Sequence, residues 1–176
     1  MKKVFSFLLI FSLVFVLFGC GTSSNTATEN STSDSKENSA SVDEIATALL
    51  AKVQFNDEIE ENENDEKTCD TYGFDSSLVT DIARYVGSGA TAEELAIFEC
   101  VDSSAIETVK TAIDERIQYL HDGYSDYGPD QVPEIDSAVV LTHGNIVVFC
   151  ICKNPDVVED ILNSGSLSIV GVEKTK

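Results

Sequence analysis

The sequence predicts an α+β domain, a two-layer sandwich in which a largely antiparallel sheet of about four strands packs against about three helices. Three observations predict it. Two apolar runs, Ala138 to Thr142 and Ile146 to Cys152, flank His143-Gly144-Asn145, which is the turn chemistry of a β-hairpin. Leu95 to Val101 is apolar on both faces except at Glu99, as in a strand central to a sheet. Ile106, Val109, Ile113, Ile117 and Leu120 recur at helical spacing along one stripe. From Ser41 onward the chain is long enough for one core and too short for two.

The elements follow in order from Ser41. Ser41-Val42-Asp43-Glu44 has the spacing of a capping box, and Ile45, Leu49 and Val53 continue it as an amphipathic helix ending near Phe55. Asp57 to Lys67 is a run of Glu, Asp and Asn around a single Ile59, expected to be a solvated loop. Leu78 to Val86, closed by Gly87-Ser88-Gly89, fits a helix and a strand equally well, because nine residues are too few for periodicity to decide. Ser104-Ala105-Ile106-Glu107 is a second capping box, and Gly123 is placed to end the helix it opens. Asn154-Pro155 supplies a cap and a first-turn proline for a last helix that stops near Gly165, and Leu167 to Val172 is an edge strand or a packed tail.

Ahead of this domain, Lys2 and Lys3 precede an apolar run from Phe5 to Phe18, too short to cross a bilayer comfortably as a mature helix. It closes on Leu17-Phe18-Gly19-Cys20, similar to the lipobox of bacterial lipoproteins. Residues 1–19 are therefore expected to be a signal peptide, with Cys20 lipidated as the first residue of the mature chain. Two acyl chains hold a soluble domain stably at a membrane surface where one holds it only marginally. Residues 20–40 are polar, without an aromatic residue, and are expected to be a disordered tether.

The formal charge is −20, and removing residues 1–19 takes away two lysines and no acid. Lys and Arg are scattered singly, which excludes direct nucleic-acid binding and a polybasic second membrane signal.

Several local words carry a resemblance: Phe55, Tyr72-Gly73, the segment Gly89-Ala90-Thr91-Ala92-Glu93-Glu94-Leu95-Ala96-Ile97-Phe98, Glu115-Arg116, Tyr127-Gly128-Pro129, and Ala138-Val139-Val140 followed by Gly144-Asn145. In these, the stretch from Ser41 to Leu162 resembles a clostridial-type bacterial lipoprotein family, domain of unknown function four-three-five-eight. The resemblance implies a lipobox, a polar tether and one small mixed domain (residues 41–176), implies a strand for Leu78 to Val86, and brings no activity with it.

Glu93 and Glu94 are candidates for ligand or partner contact, since paired carboxylates beside glycines bind a cation or act as acid and base; the competing role is a tight turn fixed by local hydrogen bonds. Tyr124 and Tyr127 are natural partner anchors, because they bring area at low entropy cost. Asp122, Asp126 and Asp130 offer oxygens to a metal such as calcium, though without the alternating spacing of an EF-hand loop. Cys69, Cys100, Cys150 and Cys152 are expected as small buried thiols. Cys150 and Cys152 alternate around Ile151 and so share a sheet face, where Cys100 is placed too. No cofactor is called for. The expected function is a membrane-anchored extracytoplasmic lipoprotein acting as a non-catalytic binding or accessory module, with the membrane as partner through Cys20 and an unknown protein or small ligand as the other. A carboxylate- or metal-dependent envelope enzyme and a structural envelope component are the alternatives.

Overall fold

The computed structural model describes residues 40–164. The expected signal peptide, Cys20, the expected tether up to residue 39 and the Leu167 to Val172 segment lie outside the described residues; Ala40, at the end of the expected tether, is buried in the core instead.

The fold is α+β. Elements run α1 (Val42–Leu50), β1 (Glu60–Glu61), α2 (Asp65–Tyr72), β2 (Val79–Val86), β3 (Glu94–Cys100), α3 (Ser103–Tyr127), α4 (Val132–Asp136), β4 (Val139–His143), β5 (Ile146–Ile151) and α5 (Pro155–Asn163). The strands form one antiparallel sheet in the order β1-β2-β3-β5-β4. β3 is central, as its apolar composition requires, and every residue of β5 is buried.

Alternation along the central strands feeds two cores. Leu95, Ile97, Val148 and Cys150 face α1 and α5. Ala96, Phe98, Val147 and Phe149 face the other way, onto α2 and α3. Helices therefore cover both faces, and the domain has three layers rather than the expected two. The physical reason is the composition of β3: a strand apolar on both faces leaves one of them wet unless each has a helical cover. On the α2–α3 side Phe98 packs edge-on against Tyr72 and Phe74, with ring centroids 5.1 and 5.5 Å apart.

The Ser41 capping box is present in full, with Glu44 returning a side-chain bond to the Ser41 amide. The hairpin is present as well, closed by Gly144-Asn145 between the paired residues His143 and Ile146, with Gly144 at φ 62° as a primed turn requires. β2 is a strand, in keeping with the family resemblance.

Four local expectations are corrected. The first helix ends at Leu50, short of Phe55, because the chain beyond it is pinned to the start of α5: Lys153 N–H donates to Gln54 O, and Gln54 N–H to Asn154 Oδ1 at 2.8 Å. Asn154 holds the N-cap position of α5, but with its side chain so engaged it does not cap that helix. The supposed loop from Asp57 to Lys67 contains β1 and the start of α2, whose Asn64 side chain caps Lys67 N–H. α3 is capped by Asp102 rather than Ser104 and passes through Gly123 to Tyr127. A mid-helix glycine costs only about 1 kcal/mol against alanine, and the residue after it, Tyr124, is buried.

Candidate functional site

β3 begins just after the Gly87–Ala92 turn, and Glu93, the residue before it, and Glu94, its first residue, point to opposite sides. Glu93, buried, turns toward the segment after α1. Its Oε1 accepts from Asn56 N–H at 2.6 Å and Asn56 Nδ2 at 3.1 Å, and its Oε2 from Asp57 N–H at 2.8 Å and Thr91 Oγ1 at 3.2 Å. Asn56 Nδ2 also reaches Glu134 Oε1 at 2.9 Å, whereas the buried Oε2 of Glu134 has no partner.

Glu94, only 2% exposed, faces the α2–α3 core. Arg84 Nε donates to its Oε1 at 2.7 Å, Tyr72 Oη to the same oxygen at 2.7 Å, and Arg116 Nε and Nη2 to its Oε2 at 3.2 and 2.9 Å. These are both of the arginines in the sequence. The register explains the meeting: Arg84 pairs with Ala96 and Glu94 with Val86 on the neighbouring strand, a diagonal on one face, and α2 and α3 lay Tyr72 and Arg116 over it. Arg84 also stacks over the Tyr72 ring at 5.7 Å. Burial by itself would lower the Arg84 pKa, and the Glu94 carboxylate outweighs it and leaves the group raised. Burial, reinforced by Glu94, pushes the Tyr72 phenol well above its usual value.

The turn that delivers both glutamates is tied from three sides. Asp57 accepts from Ser88 N–H and Oγ, and those bonds hold its carboxyl below the usual range. Gly89 adopts φ 90°, a conformation open to glycine. Tyr124 Oη, from α3, contacts the carbonyls of Gly89 and Thr91. Ala92 N–H donates to Gln131 Oε1 at 3.3 Å. Between this turn and α3 lies a cavity of about 130 Å³, lined among others by Arg84, Thr91, Glu93, Glu94, Arg116 and Tyr124. It has room for about four waters.

Three of the four expected contact residues thus meet at one cavity, but as interior groups: Glu93, Glu94 and Tyr124 are buried, and burial raises the pKa of the Tyr124 phenol. Tyr127 alone is exposed, at 68%, and packs on Tyr124 with centroids 4.8 Å apart. Asp122, Asp126 and Asp130 are not gathered. Asp122 accepts from Gln118 Nε2 at 2.7 Å on α3, Asp126 is exposed a turn later, and Asp130 lies past the helix end beside Gln131. Among the described residues, no group of three or more His, Cys, Asp or Glu side chains is set to hold a metal ion. A wider groove of about 750 Å³ follows Asp57 to Asn64 beside Gly87 and Ser88, and its charged lining is acidic.

Cys69, Cys100, Cys150 and Cys152 are all buried free thiols. Cys100 is corrected in position: it lies in the α2–α3 core with Cys69, while Cys150 and Cys152 lie in the core under α1 and α5.

The residues that the sequence does not single out are Arg84, Asn56 and Gln131 at this site, with Tyr72 and Arg116 noted only as part of a resemblance. Arg84 had a signal: it is a lone charge between Ile82-Ala83 and Tyr85-Val86, so as a strand residue it needed a buried counter-charge on a neighbour.

A model of one family, described as Domain of unknown function (DUF4358), matches residues 51–152. That span takes in the whole described sheet and the elements that build the cavity. No curated protein and no solved structure matches the chain. Among the described residues no helix is long and apolar enough to cross a membrane.

Proposed function

Since the chain belongs to the DUF4358 family, whose description assigns no activity, we propose a function from the residues themselves: a lipid-anchored module on the extracytoplasmic face of a membrane that binds a small polar ligand without transforming it. The observation that carries the binding reading is convergence. Arg84, the Gly89 to Glu94 turn, Arg116 and Tyr124 are far apart in sequence, and they are assembled around one cavity by two strands and α3. Pockets with a few convergent polar groups are where small ligands bind. The absence of a chemical step is supported by the occupation of the carboxylates. All four oxygens of Glu93 and Glu94 accept hydrogen bonds from the protein, so neither is poised to take a proton from a ligand. The lipobox-like Leu17 to Cys20 supports the anchor.

The test is thermal unfolding of the full chain against a panel of small polar metabolites, beside Ala92→Leu, which puts added bulk against the cavity. At least one compound is expected to raise the melting temperature saturably in the parent chain and not in the variant. No protection by any compound, or equal protection of the variant, would remove the binding reading. Separately, Cys20→Ser is expected to move the protein from the membrane fraction to the soluble fraction, and retention at the membrane contradicts the anchor.

A further inference from the structure

We propose that Cys150 and Cys152 form a dithiol that closes reversibly to a disulfide by exchange with an external disulfide compound, which makes the junction of β5 and α5 a redox-modified site. The pair is independent of the cavity. It sits on the other side of the sheet from the Glu94 cluster, in the core under α1 and α5.

Placement comes from the strand. Cys150 is the penultimate residue of β5, paired with Leu95 and Val139, and Cys152 follows the last paired residue, Ile151. Two residues apart, they point to one face. The next elements then favour Cys152 as the attacking sulfur. Cys152 lies three residues ahead of Pro155, which opens the nine-residue helix α5, and shares one core with Cys150. The neighbouring Cys150 thiol first, and the Asn154 backbone with it, lower the Cys152 pKa, while Cys152, with burial, raises that of Cys150. Cys69 and Cys100 lack this arrangement. Burial raises Cys69, and pushes Cys100 up to about 11.

Access is local. Cys152 is 2% exposed and is followed by exposed Lys153 and half-buried Asn154, so uncovering the sulfur requires release of the Lys153 and Asn154 bonds to Gln54, which lie outside the sheet ladder. The step balances. The Cys152 thiolate attacks the external disulfide, whose S–S bond breaks and releases one thiol. Cys150 then attacks the Cys152 sulfur, the new S–S bond forms, and the second external thiol leaves with the second proton. Both protein thiols are oxidised and one external disulfide is reduced. Residues two apart in a fully extended strand are about 6.6 Å apart at Cα, near the upper limit of disulfide geometry. Closure therefore bends the chain at Cys152, outside the ladder, and such a bond is readily reduced again.

The experiment equilibrates the reduced full chain in glutathione buffers of stepped oxidised-to-reduced ratio, quenches in acid, alkylates the unfolded chain and maps the peptides. The peptide carrying Cys150 and Cys152 is expected to pass in one step from doubly alkylated to unalkylated with the loss of two hydrogens. Cys69 and Cys100 stay alkylatable and the far-ultraviolet circular dichroism stays unchanged. Cys100→Ser keeps the transition, and Cys152→Ser abolishes it. Two thiols still alkylated at the most oxidising ratio, glutathione caps without ring closure, or closure only after denaturation would each overturn the proposal.

Discussion

Glu93 and Glu94 are neighbours in sequence, both buried, and solve the same desolvation problem in opposite ways. Glu93 meets neutral donors, chiefly the backbone amides of Asn56 and Asp57, so its partners exist only while the segment after α1 is folded against the turn. Glu94 meets two guanidinium groups and a phenol projecting from β2, α2 and α3. One carboxylate clamps a loop; the other ties secondary-structure elements together across a core. Removing a clamp frees a segment, while removing the centre of a charge cluster strands the charges that surround it.

The largest effect is expected from Glu94→Gln. It leaves Arg84 and Arg116 facing a neutral group in a buried site and should cost about 3–5 kcal/mol, read as a lower denaturation midpoint by urea titration. Because the cluster is buried, that loss should change little between low and high salt; a strong salt dependence would mean that the cluster is wet. Glu93→Gln comes next. It loses charge-assisted bonds to two amides and should cost about 1–3 kcal/mol, with hydrogen exchange accelerating at Asn56 and Asp57 more than in β3. Uniform acceleration across the sheet would erase the distinction between the two residues.

Tyr72→Phe removes one of four donors to Glu94 and keeps the ring that packs on Phe98, so about 1.5 kcal/mol is expected from the same titration. The smallest effect belongs to the rim of the turn. Asp57 is held below its ordinary pKa by Ser88, so its contribution is present above the unfolded value and is lost as pH falls through the folded one. Ser88→Ala should flatten stability against pH across that acidic window, lowering stability slightly at neutral pH and leaving it unchanged below the window; an unaltered slope would show that Ser88 does not set it.

Legibility in the sequence followed the same division. The hairpin, the capping box at Ser41 and the stripe of α3 were readable because each is a local pattern whose partners lie a few residues away. The strand assignment of β2 came through resemblance, since nine residues with Gly87 and Gly89 behind them do not separate two periods. α2 was hidden because only Thr68, Cys69 and Tyr72 are buried in an otherwise polar helix. The third layer was implied by β3, whose two apolar faces each demand a cover, and the order of helices along the chain does not say which face each one takes. At the site, Glu93 and Glu94 stood out as a word, but their burial did not. It depends on Asn56, Arg84, Tyr72 and Arg116, brought together by register and packing rather than by spacing.

The central claim is that the two arginines are there for Glu94, and the most direct measurement compares the urea unfolding of Glu94→Gln with that of the triple variant Arg84→Met, Glu94→Met and Arg116→Met. If the arginines serve to neutralise that carboxylate, replacing all three groups by apolar side chains restores most of the stability lost in the single variant. A triple variant as unstable as Glu94→Gln, or more so, would contradict this and show that the arginines hold the fold through contacts other than Glu94.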